Sequence, residues 1–153
     1  MLKITRKRRA TVVSLLAATA VMGGLTLAPS ASAANAGDCP NNALCLYQDT
    51  HFSGQISIQT RFAQGIGIND FRNSHFTNGQ SINDQVSSLI NNTNYDICLF
   101  VDINESGKAN WIPKKGGDLG FPNTWDELGP VGFNDDLSSA WPVNTLGHGC
   151  QHS

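Results

Sequence analysis

The sequence predicts an all-β protein, a sandwich of two Greek-key motifs. Three observations carry that expectation: apolar runs too short for helices, turn residues crowded between them, and two phrases that each occur twice in the same order. INDQVSSLI spans Ile82 to Ile90 and is echoed by FNDDLSSAW from Phe133 to Trp141. Upstream of them, CLYQDTHFSG from Cys45 to Gly54 is echoed by CLFVDINESG from Cys98 to Gly107. Cys45 lies 38 residues before Asn83, and Cys98 lies 36 before Asn134. Two phrases repeated in order at nearly one spacing mark an internal duplication, with units at about 44–91 and 97–142.

Each unit reads as strands. Leu44 to Tyr47 and Ile97 to Val101 are short apolar runs, and Gln55 to Gln59 alternates with the period of a half-buried strand. Ala109 to Ile112 follows with Trp111 as its anchor, and Val86–Ile90 and Leu137–Trp141 continue the two Asn-Asp phrases, the last stopped by Pro142. Between them lie Gly-, Asn- and Pro-rich stretches without helical period. This is the pattern of a sandwich built on Greek keys.

The N-terminus reads differently. Lys3, Arg6, Lys7, Arg8 and Arg9 precede an uncharged apolar run from Thr11 to Ala28, and Ala31-Ser32-Ala33 offers a small-x-small cleavage pattern. This predicts a secretory leader over 1–33 and a single domain over 34–153, exported by a bacterial-type route and free of the membrane once the leader is cut. Ala34-Asn35-Ala36 repeats the cleavage pattern. Without the leader, five basic residues face twelve carboxylates, so the formal charge falls from −2 to −7. A body this acidic argues against nucleic acid, which needs a basic footprint, and suits cations. It also suits a soluble monomer.

Cys39, Cys45, Cys98 and Cys150 all follow the leader. In an oxidising compartment they imply two disulfides. Three pairings can be drawn. Cys39–Cys45 with Cys98–Cys150 is favoured, since it pins the two ends of the domain. The longer loop stabilises more, by roughly 3–4 kcal/mol on chain entropy.

The Asn-Asp-x-x-Ser-Ser phrases admit two chemistries. Asn and Asp side chains bond to backbone a residue or two on, so each phrase can be a turn feeding a strand. Each also gathers amide, carboxylate, hydroxyl and turn carbonyls, the hard oxygens of which calcium takes six to eight. One phrase alone is short of a full set, and Asp49 and Asp102 of the hairpin phrases can add to it.

These residues resemble the βγ-crystallin family. Its hairpin pattern, aromatic-x-x-x-x-aromatic-x-Gly, is met by Tyr47, Phe52 and Gly54. Phe100 and Gly107 meet it in the second unit, where Glu105 replaces the second aromatic. The calcium-binding pattern is met by Asn83-Asp84-Gln85-Val86-Ser87-Ser88 and by Asn134-Asp135-Asp136-Leu137-Ser138-Ser139. The resemblance implies a disulfide-stapled βγ-crystallin-like sandwich holding up to two calcium ions crosswise. Gln85 and Ser87 would be completed by the Val101 hairpin, and Asp136 and Ser138 by the Gln48 hairpin. Asp49, Asn83, Asp84, Asp102, Asn134 and Asp135 are further candidates. The carboxylate of Asp136 implies a tighter second site. Asn69-Asp70-Phe71-Arg72-Asn73-Ser74 nearly repeats the phrase but has Asn at the hydroxyl position, and reads as loop.

The opening Cys39-Pro40 through Gly54 is similar to that of a narrower group, the secreted actinobacterial peptidase-inhibitor family of the Streptomyces metalloproteinase inhibitor type. It implies an extracellular protease as partner and an exposed reactive loop. The long stretches Arg61–Gln80 and Pro113–Gly132 are candidates, the first carrying Phe62, Ile66, Ile68, Phe71 and Phe76. The rival expectations are a calcium-stabilised structural or stress protein of the cell exterior and a killer-toxin-like secreted protein. An enzyme is not expected, since Gly-x-Ser-x-Gly and His-Glu-x-x-His are both missing. His148, Cys150 and His152 could suggest zinc, but a disulfide claims the cysteine.

Overall fold

The computed structural model describes residues 33–117, 120–143 and 150, and these lie within one unit, Ala31–Ser153. The expected leader, except for Ala33, and the terminal histidines His148 and His152 fall outside the described residues. Among the described residues seven strands are formed: β1 Leu44–Asp49, β2 Ser53–Gln59, β3 Ser88–Asn91, β4 Asp96–Asp102, β5 Ser106–Ile112, β6 Thr124–Trp125 and β7 Ser139–Val143. They make two antiparallel sheets, ordered β2-β1-β3-β6 and β5-β4-β7. Beyond β7, Ile68 bridges to Ala140. Each unit therefore lends a short piece to the other's sheet. β6 of the second unit pairs Trp125 with Leu89 and Thr124 with Ile90, and Ile68 of the first unit sits at the mirrored place.

The alternation of β1 and β4 explains why both strands are buried on both faces. Leu44 and Leu46, with Ile97 and Leu99, point between the sheets into a core shared with Leu89, Leu137 and Phe133. The intervening residues point outwards and are covered by the chain ends. Cys45 and Tyr47 lie under Cys39 and Ala43, while Cys98 and Phe100 lie under Cys150 with Trp111 and Trp141 beside them. The disulfides Cys39–Cys45 and Cys98–Cys150 hold these covers down, so of the three pairings the favoured one is formed.

The hairpins β1–β2 and β4–β5 are copies. Each shifts register by a bulge, between Tyr47 and Asp49 and between Phe100 and Asp102. Each turns through two non-glycine residues at positive φ, His51 and Phe52 in one, Asn104 and Glu105 in the other. That conformation is costly for such side chains. The following Gly54 and Gly107 are at φ 74° and 75°, and a Cβ at either would run into the carboxylate of Asp49 or Asp102. Only glycine fits there, which accounts for the Gly in both hairpin phrases.

Two strand boundaries differ from the expectation. β7 runs through Pro142, which pairs with Ile97 of β4. Proline is tolerated because β7 is nearly an edge strand, its far side met among the described residues by Ile68 alone, so no donor is needed there. β6, two residues long, was not expected at all: Thr124-Trp125 has no alternation, and pairing with β3 creates it.

Candidate functional site

The two Asn-Asp phrases form arches that face each other across the pseudo-twofold. Asp84 and Asp135 occupy the left-handed region at φ 54° and 52°, which Asp tolerates better than most residues. That turn lets each aspartate amide reach the other unit: Asp84 N–H donates to Leu137 O and Asp135 N–H to Val86 O, both at 3.0 Å. The side chains cross in the same way. Ser87 Oγ donates to Asp135 Oδ1, and Ser138 Oγ to Asp84 Oδ1, again both at 3.0 Å. Each carboxylate is held from behind by its neighbour's amide, Asn83 Nδ2 to Asp84 Oδ2 at 2.5 Å and Asn134 Nδ2 to Asp135 Oδ2 at 2.7 Å.

The second serine of each phrase does another job. Ser88 Oγ accepts from Phe52 N–H at 3.0 Å and donates to Asp49 O at 2.6 Å, closing its own unit's hairpin. Ser139 Oγ does the same with Glu105 N–H and Asp102 O, at 3.1 and 2.7 Å. Ser88 and Ser139 are fully buried, so these bonds satisfy hydroxyls that would otherwise be costly to bury. The Ser-Ser dipeptide therefore divides its labour: the first hydroxyl faces the partner arch, and the second ties arch to hairpin.

The structure brings the predicted residues together in a pattern that sequence reasoning missed in part. Ser87 N–H donates to Tyr47 O at 3.0 Å and Ser138 N–H to Phe100 O at 2.9 Å. Ser87 thus stands beside the Gln48 hairpin and Ser138 beside the Val101 hairpin, whereas the expected sets put each serine with the other hairpin; Asp84, next to Gln85, reaches Leu137 O and Ser138 Oγ on the Val101 side. What crosses between units is the aspartate, Asp135 or Asp84. Gln85 folds back, its Nε2 donating to Asp84 O at 2.5 Å, while Gln48 Nε2 donates to Gln80 Oε1 at 3.2 Å. Asp136 is exposed. Asp49 and Asp102 lie against their hairpin glycines. Asn83 Oδ1 is buried without a hydrogen-bond partner.

The pairing of a carboxylate with a hydroxyl from the opposite unit, twice over, suits a hard cation by donor chemistry. Among the described residues no three His, Cys, Asp or Glu side chains cluster, so any such ion would draw on hydroxyl, amide and carbonyl oxygens as well. The near-repeat at Asn69 to Ser74 is a loop, as expected. Asp70 caps a 3-10 turn through Arg72 N–H and holds the Arg72 guanidinium at 2.7 Å, and that hydrogen bond lowers the Asp70 pKa.

The expected reactive-loop side chains are corrected by burial. Phe62, Ile68, Phe71 and Phe76 all lie in the main core, so none can enter a protease cleft while the domain is folded. The long stretch from Arg61 to Gln80 is therefore structural along most of its length. Of the set, Ile66 alone is exposed, at 43%, and in the other long stretch Phe121 is exposed at 56%. The sequence could not separate these cases, because an apolar residue in an irregular segment has no period to show which way it faces.

Comparison with solved structures agrees with this architecture. A structure titled "Evolution of the eye lens beta-gamma-crystallin domain fold" superimposes with a TM-score of 0.53 at 22% identity, covering 69% of this chain and 89% of that one. A βγ-crystallin from Ciona intestinalis aligns at 22% identity and a TM-score of 0.46, over 66% of this chain and 99% of its own. The N-terminal domain of protein S aligns at 16% identity with the same TM-score, over 66% of this chain and 94% of its own. No curated protein matches the sequence. The fold is a βγ-crystallin-type double Greek key. The sequence pattern of peptidase inhibitor family I36 matches residues 32–112, the first unit and the hairpin of the second, and by that match over more than half its length the chain belongs to this family.

Proposed function

We propose that the protein is a secreted, calcium-clamped inhibitor of extracellular proteinases, metalloproteinases first among them, and not an enzyme. Membership of the inhibitor family is the observation that carries this reading. The two disulfides support an oxidising destination, and no helix among the described residues is long and apolar enough to cross a membrane. A rigid inhibitor presents side chains without collapsing around them. Among the described residues, Ile66 and Phe121 are the exposed large apolar side chains of the two long connections.

Calcium enters this proposal as the clamp of the scaffold. Asp135 with Ser87, and Asp84 with Ser138, would each give a carboxylate and a hydroxyl. Carbonyls of Gln85 and Asp136 and of the Gln48 and Val101 hairpins are the candidates to complete the two shells. Binding would tie the units together where the arches already cross.

Two assays test the proposal. Titration of a thermolysin-like metalloproteinase with the oxidised mature protein should give stoichiometric inhibition, weakened by Ile66→Ala or by Phe121→Ala. Full proteinase activity at a large molar excess of the protein would sink the inhibitor reading. Melting in EDTA and then across a calcium series should raise stability by about 2.7 kcal/mol at a hundredfold excess over Kd, on the order of 8–15 °C for a domain of this size. Ser87→Ala and Asp135→Asn should each reduce that shift. An unchanged Tm would leave the arches as turn-formers only.

A further inference from the structure

The two units close their sheet edges in different ways, and the difference exposes a place that one unit fills and the other does not. In the first unit, Phe71 N–H donates to Ser138 O; in the second, Leu128 N–H donates to Ser87 O, so Phe71 and Leu128 correspond. From Phe71 the chain takes eleven residues to reach Ile82, but from Leu128 it takes five to reach the matching Phe133. The extra residues of the first unit run along the open edge of β2. Thr77 N–H donates to Ile56 O at 3.0 Å, Ser57 Oγ donates to His75 O at 2.8 Å, and Phe76, 3% exposed, fills the space between the sheets.

Among the described residues the second unit has no such cover. Ala109 corresponds to Ile56, since each pairs with the hairpin aromatic of its unit, Phe100 or Tyr47. Among the described residues β5 has a strand neighbour on one side only. Trp111 N–H, on the outer side, is met by the side-chain oxygen of its neighbour Asn110 at 2.9 Å. Next to this edge lies a cavity of about 310 Å³ lined by Asn110, Trp111, Pro113, Phe121, Trp125 and Val131. Phe121 stands edge-on to Trp111 at 5.8 Å between ring centroids. Three aromatic rings around one mouth suit a large apolar side chain.

We infer that the outer edge of β5 is a docking site for an extended peptide segment of a partner protein, which adds as a strand and places one aromatic or large aliphatic side chain in the cavity. The first unit shows the bound arrangement inside the same molecule: Thr77 supplies the edge hydrogen bond and Phe76 the side chain. Strand addition takes its affinity from main-chain hydrogen bonds and its specificity from such side-chain pockets. Charge selects the flanks of the peptide. Three of the five basic residues that follow the leader are Lys108, Lys114 and Lys115, on β5 or just after it. Lys108 and Lys115 donate to neutral oxygens, those of Val131, Gly132 and Asn41. In so acidic a body this concentration favours carboxylates on the incoming strand. The inference does not rest on protease inhibition or on calcium.

The test uses the oxidised mature protein in EDTA and the blocked peptide Glu-Thr-Phe-Thr-Val-Glu. Trp111 and Trp125 are two of three tryptophans, so their fluorescence reads the cavity. A saturable change is expected. It should weaken about tenfold, equal to about 1.4 kcal/mol, when the peptide Phe is replaced by Ala. N-methylation of alternate amides should abolish binding in one register and spare it in the other, because only one set of amides faces β5. Ala109→Pro removes the outward donor at little cost to an edge strand and should weaken binding to a similar degree. If that variant does not fold, the peptide series decides. No saturable change up to about 1 mM peptide, or equal loss in both N-methyl registers, overturns the inference. So does sedimentation showing that a second copy of the chain already occupies the edge.

Discussion

The two Greek-key units share a hairpin and an arch almost atom for atom, yet they close differently. In the first, Phe62, Phe71 and Phe76 are swallowed by the core and the edge of β2 is covered. In the second, Trp111 and Trp125 are half-buried, Phe121 is exposed, and the edge of β5 has no strand partner among the described residues. The lesson is that duplication keeps what the backbone demands and lets the connections drift. Positive φ, a glycine without room for a Cβ and crossed Asp-Ser bonds tolerate few substitutions. A connection needs only to return the chain to the next strand, so one copy became core and the other became surface.

The largest effect that would break this comparison is in the connections. Phe71→Ala should cost about 3–5 kcal/mol, the usual toll of emptying an aromatic site in a core. Phe121→Ala should change stability by no more than about 0.5 kcal/mol. Urea unfolding of the two variants measures the contrast, and equal losses would mean that the second connection is also structural.

Next come the arches, where the units should agree. Ser88→Ala and Ser139→Ala each remove a buried hydroxyl that serves two backbone partners, at about 1–3 kcal/mol apiece. Similar melting losses for both would confirm that the second serine is a staple in either unit, whereas a large difference would show that Glu105 in place of an aromatic has altered the second hairpin.

A smaller asymmetry lies at the hairpin aromatics. Tyr47 has a hydroxyl where Phe100 has none; its Oη donates to Asn35 O at 3.2 Å. Burial, with Asp38 nearby, pushes its pKa up to about 12. The fold therefore favours the neutral phenol. The stability this contributes is complete below the ordinary tyrosine pKa near 10 and is lost as pH rises through about 12. Ultraviolet titration should show one tyrosine ionising late, and Tyr47→Phe should remove that step.

The smallest effect is expected at Asp70. Its carboxyl is held below its usual range by Arg72, so the pair contributes above the ordinary carboxylate pKa and fades as pH falls through the lowered value. Arg72 is exposed and Asp70 partly so, and Arg72→Gln should leave Tm at neutral pH nearly unchanged. A clear drop would give the near-repeat at Asn69 a role beyond turn formation.

The sequence by itself determined the double Greek key, since the repeated phrases carry their own reasons: hairpin glycines, Asx turns and strands with period two. It also determined which four cysteines had to pair, and the favoured pairing was formed because each disulfide covers the outer face of a central strand. Tertiary structure decided the rest. Which hairpin stands beside Ser87, the one at Gln48 or the one at Val101, depends on how two units meet across a twofold, and no local pattern encodes that meeting. The burial of Phe62, Ile68, Phe71 and Phe76 belongs with it, because irregular backbone has no period to reveal its inner side. β6 exists only because β3 offers it an edge. Local chemistry wrote the repeated parts, and packing between the repeats chose how they are used.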